Sequence, residues 1–121
     1  MDSRRSFGNE GETDAAAYLV ERGYHILDRQ CRTSFGEIDI VASQGNEIVF
    51  VEVKTRRSTA FGFPEESVTR GKLRRMRQAA EAIRESRGWS DRPFRLDVIS
   101  ILRKEFDDSV DLRHFEAIDT E

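Results

Sequence analysis

Two short apolar runs joined by a glycine-asparagine turn constrain this chain more than any other feature. Gly36 opens Glu37-Ile38-Asp39-Ile40-Val41-Ala42, Gly45 and Asn46 interrupt, and Glu47-Ile48-Val49-Phe50-Val51-Glu52-Val53-Lys54 follows. β-Branched runs on either side of a two-residue turn specify a β-hairpin. The turn sets Gln44 opposite Glu47, and that register carries along both strands. It places Ile38, Ile40 and Ala42 opposite Val53, Val51 and Val49, which predicts one apolar face throughout.

The other face is not passive. There Val41 meets Phe50, Asp39 meets Glu52 and Glu37 meets Lys54, so ionisable groups gather at one end. Directly opposed residues hold their Cβ atoms about 4.5 to 5.5 Å apart, where like charges destabilise the pair. Asp39 facing Glu52 therefore needs compensation. A divalent cation supplies it: hard carboxylate oxygens suit Mg²⁺ or Mn²⁺, and Mg²⁺ takes one or two carboxylates, leaving other positions to water and phosphate. Lys54 lies two residues beyond Glu52 on the same face, where its ammonium can orient an attacking water or meet charge developing on phosphorus. The competing account is a half-exposed hairpin showing charge to solvent, with Glu37 and Lys54 as an ordinary cross-strand ion pair.

Two features tip the balance toward chemistry. A first helix is expected from about Ser6 to Arg22, where Ala15, Ala16, Leu19 and Val20 recur at helical spacing and Gly23 follows as a stop. Glu12 precedes Ala15, Ala16 and Leu19 by three, four and seven positions, so a carboxylate lies on the stripe that faces the sheet. Burying it without a partner is unfavourable, so it either reaches solvent at the helix start or joins the metal site. The second feature is charge asymmetry. The whole chain carries only -3, yet Lys54 to Arg77 holds eight bases against Glu65 and Glu66, whereas Lys104 to Glu121 holds seven acids against two bases. One end can attract phosphate while the other repels it.

The remaining elements follow from periodicity. Tyr24 to Arg29 reads as a strand and Thr55 to Glu66 as a loop. Val68, Leu73, Met76, Ala80 and Ile83 mark one side of a second helix ending near Gly88, and Phe94 to Leu102 is a strand. Asp107 and Asp108 make a turn before an edge strand over Leu112 to Ile118. The order is helix, three strands, helix, two strands: one α/β domain over residues 1–121 with a mixed sheet flanked by helices, its acidic end at about 104–121. No run is long enough to span a bilayer and the start has no signal-like apolar stretch, so a soluble cytoplasmic protein is expected. The lone Cys31 fits a reducing compartment and reads as a small semi-buried side chain.

The residues GEIDIVA at 36–42 and VFVEVKTR at 49–56 resemble the bacterial YraN-type family, which is assigned to the PD-(D/E)xK nuclease superfamily. The resemblance extends to GNEGETDAAAYLVERGY at 8–24, FGFPEESVTRGK at 61–72 and RLDVI at 95–99. It implies a restriction endonuclease-like core similar to that of archaeal Holliday-junction resolvases. It makes Asp39 the metal-binding aspartate, Glu52 the second acid, Lys54 the lysine and Glu12 the first-helix glutamate, with the backbone carbonyl of Val53 as a further metal ligand. One departure is that Ile38, not proline, precedes Asp39. The expectation is a Mg²⁺- or Mn²⁺-dependent endonuclease acting on DNA, with a resolvase-like preference for branched structures that requires a homodimer. The alternative is a module on the same fold that binds nucleic acid or a protein without turnover.

Arg70, Arg74, Arg77 and Arg84 form a stripe beside the apolar side of the second helix, but its far end, Arg84 with Arg87, reads as a solvated face. Arg56, Arg57, Arg70, Lys72 and Arg74 are the candidates for phosphate contact. Glu37 and Asp97 are candidate supports for the site; Asp97 alternates with Ile99 and Ile101 and so faces a packed side, where holding Arg95 is the structural alternative. His25 and His114 lack metal-ligand spacing, and Trp89 reads as a loop anchor.

Overall fold

A computed structural model describes residues 3–57, 62–104, 107 and 109–118, with side chains from residue 9 onward. It contains α1 (Ser3–Glu21), β1 (His25–Thr33), β2 (Gly36–Gln44), β3 (Glu47–Arg56), a 3₁₀ turn (Pro64–Ser67), α2 (Arg70–Ser86), β4 (Phe94–Arg103) and β5 (Val110–Phe115). The five strands form one sheet in chain order. β3 and β4 run parallel, with α2 in the crossover between them, and every other neighbouring pair is antiparallel. The result is a mixed α/β fold in the expected order of elements.

The two helices cover opposite faces of the sheet. Leu73, Met76, Ala79, Ala80 and Ile83 of α2 pack on Val41, Ile48, Phe50 and Leu96. Ala15 and Leu19 of α1 pack on Ile40, Ala42, Val49, Val51, Ile99 and Ile101. Alternation along β2, β3 and β4 thus feeds two cores, which is why these strands read as nearly continuous apolar runs. Val20, grouped with the core stripe on spacing, is 56% exposed, because Leu19 already occupies the position above Ala15.

The structure corrects several boundaries. β1 continues to Thr33, where its partner β2 extends the ladder to Gly36. β5 begins at Val110 and ends at Phe115, after which the Ile118 N–H bonds to the Leu96 carbonyl outside the strand. Asp107 lies in a turn, but Asp108 and the acids Glu105, Asp119 and Glu121 lie outside the described residues. Among the described residues no helix is long and apolar enough to cross a membrane.

Only the inner part of the hairpin register holds. Gln44 pairs with Glu47 and Ile40 with Val51, around a turn in which Gly45 has φ 60°. Beyond Ile40 the strands part, so Asp39 and Glu52, Ile38 and Val53, and Glu37 and Lys54 are not ladder partners. Ile38 is buried with the α2 cluster rather than with Ile40, so the expected single apolar face is broken at Asp39. The neighbouring strand is irregular as well: β1 carries a bulge between Ile26 and Asp28 and a positive φ of 51° at Gln30, the residue beside the break. Such irregularities re-aim side chains and end pairing.

Candidate active site

Where β2 leaves β3, the Asp39 side chain takes over from the backbone. Its Oδ2 accepts the Val53 N–H at 2.8 Å, satisfying a donor that the parted ladder would otherwise orphan. That bond holds the Asp39 carboxyl near Glu52 despite the lost pairing, close enough for each acid's charge to matter to the other's neighbourhood. Burial raises the Asp39 carboxyl to about 8, the nearby Glu52 charge and that of Glu12 push the same way, and the Val53 N–H opposes them. Without a cation the pair therefore holds a proton near neutrality.

Glu52 is only 7% exposed and is held by two lysines on a single oxygen. Lys54 Nζ lies 3.4 Å and Lys72 Nζ 2.7 Å from Glu52 Oε1. Burial and the adjacent Lys72 depress the Lys54 ammonium, with Glu52 pulling it back only in part. For Lys72 burial acts downward and is the largest single effect, but the contact with Glu52, the neighbouring Lys54 and the charges of Glu52 and Asp39 together outweigh it and the group is raised. Lys72 comes from the first turn of α2, where Thr69 caps the helix by accepting the Lys72 N–H. A pocket of about 350 Å³ opens here, walled by Glu37, Asp39 and Glu52 on one side and Lys72, Arg75 and Met76 on the other.

Glu12 reaches the same region from the opposite face of the sheet. A Cβ on Gly11 would lie 2.3 Å from Thr55 Oγ1 and 3.4 Å from two of its carbons, so α1 approaches β3 this closely only because residue 11 has no side chain. Glu12 is 9% exposed, and its Oε1 is buried without a hydrogen bond, with Arg29 Nη2 3.7 Å away. Burial raises its carboxyl, the Gln30 side chain and Arg29 lower it, and Glu37 and Glu52 raise it again. Glu52 raises the Glu12 carboxyl and Glu12 raises that of Asp39, so the helical stripe brings its acid within electrostatic reach of the pair.

The other sequence candidates divide. Arg56 and Arg57 are exposed just past Lys54, and Arg70 and Arg74 are exposed on α2 beside Lys72. Glu37 is exposed near the pair, but Lys54 is engaged by Glu52. Asp97 is fully buried on the α1 side, where it accepts from Arg95 at 3.0 and 3.1 Å and from the Ala117 N–H at 3.0 Å, with His114 Nε2 at 2.7 Å. Tyr18 hydroxyl in turn meets His114 Nδ1 at 3.1 Å. Asp97 thus ties β5 and the following segment to β4 and touches none of the pocket residues. Arg84 donates to the Ser90 and Arg92 carbonyls and lies over the Phe94 ring, and Arg87 pairs with Asp28, so the far end of the stripe holds loops together. Arg77 also lies over Phe94. Cys31 is half-buried against the α2 core and burial raises its thiol, and Trp89 packs at the edge of that core.

Sequence reasoning missed the grip of Lys72 on Glu52, the Arg75 wall and the role of Gln30. Thr69 followed by Lys72 was the legible signal: a capping residue fixes the first turn, and the pocket lies against that turn.

The model of the family described as Uncharacterised protein family UPF0102 matches residues 11–101, a span that contains Glu12, the hairpin, α2 and most of β4. A UPF0102 protein of Moorella thermoacetica is 50% identical over 99 residues, 82% of each chain. One of Rhodococcus opacus is 48% identical over 104 residues, 84% of this chain and 86% of the relative, and one of Caldicellulosiruptor saccharolyticus is 43% identical over 99 residues, 82% and 84%. On the strength of that span and those identities, the chain belongs to the UPF0102 family, the YraN-type proteins whose hairpin motifs it carries.

Proposed function

We propose that this protein is a metal-dependent endonuclease that hydrolyses DNA phosphodiester bonds on a restriction endonuclease-like fold. One observation carries the reading: two carboxyls, Asp39 and Glu52, meet in a pocket with two ammonium groups on the Glu52 oxygen. Acids paired in this way cannot both ionise at neutral pH without added positive charge.

The residues fit a divalent ion. Among the described residues no three His, Cys, Asp or Glu side chains form a metal shell, so the side-chain donors are Asp39 and Glu52. Two carboxylates are what Mg²⁺ takes when phosphate and water complete its sphere. The Val53 carbonyl is a third ligand by family resemblance. Glu12, with a buried oxygen lacking a hydrogen bond, offers an acceptor for a water held near the pair. When bound, the ion lowers the pKa of a water and offsets charge on the phosphate.

The remaining steps belong to the chain. Lys54 Nζ, its proton loosened by burial and by Lys72, orients the attacking water and takes part in removing its proton. Lys72 and Arg75 face the same pocket and balance the anionic phosphate oxygens. Arg56, Arg57, Arg70 and Arg74 hold the flanking backbone through phosphate contacts that carry no base code, which suits a structure-selective enzyme. Resolvase-like cutting of branched DNA adds the requirement of two copies, one for each strand.

The rival reading is a module that grips nucleic acid or a protein partner without turnover, and Glu52 favours it, because the lysines already neutralise that acid. A nicking assay on duplex, single-stranded, flapped and four-way DNA with Mg²⁺ or Mn²⁺ separates the two. Cleavage lost in Asp39→Asn and Lys54→Met establishes the enzyme. Metal binding abolished by Asp39→Asn, with no DNA form cut at any salt concentration, establishes the binding module.

A further inference from the structure

We propose that Lys72 is a positioning residue that stands in for the metal: it clasps Glu52 while the site is metal-free and transfers to a substrate phosphate oxygen when a divalent ion is bound. The inference rests on the reading of Asp39 and Glu52 as metal ligands.

Both ammonium groups contact one atom, Glu52 Oε1, at 2.7 Å for Lys72 and 3.4 Å for Lys54. They are not equivalent in freedom. Lys54 shares strand β3 with Glu52, two residues on, so the pleat fixes its direction, and its side chain is 21% exposed. Lys72 reaches Glu52 from α2 across the pocket and its side chain is 34% exposed. A lysine stem rotates about four carbons, so Lys72 is the member of the pair that can change partner without moving backbone.

Asp39 and Glu52 would hold a Mg²⁺ or Mn²⁺ ion through their carboxylate oxygens, and the ion would supply the positive charge that Lys72 supplies in its absence. A third positive charge on the same carboxyl edge is then repelled, and Glu52, now neutralised, no longer needs it. Phosphate entering the pocket offers Lys72 a new anion, with Arg75 one turn along α2 on the same wall. Metal occupancy and phosphate affinity become coupled through one side chain. Coupling of this kind is reciprocal, so phosphate also tightens metal binding.

The test is calorimetric titration of Mn²⁺ into the metal-free full chain, in the wild type, Lys72→Met, Lys72→Arg and Asp39→Asn. Removing the competing ammonium should tighten Mn²⁺ binding about tenfold in Lys72→Met, within the usual range of coupling factors. Lys72→Arg should bind more weakly than wild type, because a guanidinium grips a carboxylate through two parallel bonds. A metal-free melting temperature that falls in Lys72→Met, and is restored by saturating Mn²⁺, gives the same answer without cleavage. Should Lys72→Met not fold, the order of Lys72→Arg and wild type decides. Wild-type binding that is lost in Asp39→Asn but equal or weaker in Lys72→Met overturns the clasp and leaves the metal site standing. No Mn²⁺ binding by wild type or Lys72→Met overturns both.

Discussion

Val53 donates its backbone N–H to Asp39 Oδ2 at 2.8 Å, at the point where the β2–β3 ladder ends. A side chain thus replaces a strand-to-strand bond, and the strands are kept apart where the acids need room. Everything expected of the pair follows from that substitution.

Asp39→Asn keeps an acceptor for the Val53 N–H and removes the like charge beside Glu52. Relief of such a pair is worth about 0.2 to 1 kcal/mol, and the metal-free melting temperature at pH 8 should rise by a few degrees. Differential scanning calorimetry reads it. An unchanged or lowered value sinks the repulsive pairing.

The same carboxyl gives a pH dependence with a definite sign. Its folded value, about 8, lies above the ordinary 3.8, so the folded state holds a proton that the unfolded state has released. The stabilisation is complete below about pH 4 and is lost as pH rises through about 8. Burial raises Glu12 in the same direction. Denaturant midpoints of the metal-free protein should therefore fall between pH 5 and 8, less steeply in Asp39→Asn. Mn²⁺ binding near pH 7 should release about one proton, visible as a dependence of the heat on the buffer. A flat stability profile and no proton release refute this account of the pair.

Gly11→Ala pits helix propensity against crowding. Alanine favours the helix by about 1 kcal/mol, but overpacking against Thr55 costs about 1 to 3. A net loss of about 1 kcal/mol is expected, with weakened Mn²⁺ binding because Glu12 is the next residue. Restoration of both by Gly11→Ala with Thr55→Gly, measured by denaturation and titration, identifies the contact; stabilisation of the single variant excludes it.

Asp97→Ala leaves Arg95 without its buried carboxylate and His114 without its acceptor. Loss of one partner from a buried charged pair costs about 3 to 5 kcal/mol. Because Asp97 faces α1 and touches no pocket residue, Mn²⁺ affinity at a temperature where the variant is folded should stay within twofold of wild type. A selective loss of metal binding reassigns Asp97 to the site.

On the proposed function, Arg70→Ala and Arg74→Ala should each lower the salt dependence of DNA binding by about one phosphate contact and weaken all sequences alike. Arg84→Ala should instead lower stability, since its guanidinium holds the Ser90 and Arg92 carbonyls. Filter binding across a salt series distinguishes the two classes.

The second helix and the hairpin were legible because their period was unambiguous: Leu73, Met76, Ala80 and Ile83 at helical spacing, Ile48 to Val51 as a buried run, Gly45 at the turn. Glu12 was found because a charge on an apolar stripe demands a partner. What pattern could not yield was the break at Asp39, which is accompanied by a positive φ at Gln30 and a bulge at Ile26/Asp28 on the neighbouring strand. Nor could it yield the salt bridge from Lys72 to Glu52 or the Asp97–His114 contact, which join residues far apart in sequence. Such pairs exist only once crossovers have been made.

The helices lie on opposite sides of the sheet, yet Glu12 comes from one and Lys72 from the other. Synthesis supplies Glu12 early and Lys72 only after the hairpin is complete, so a chain emerging from the ribosome, or one clipped within either helix, holds an unfinished set of charges. On the proposed function, reactivity should switch on only with the last step of assembly, and a fragment that retains the motif residues but lacks one layer should stay inert.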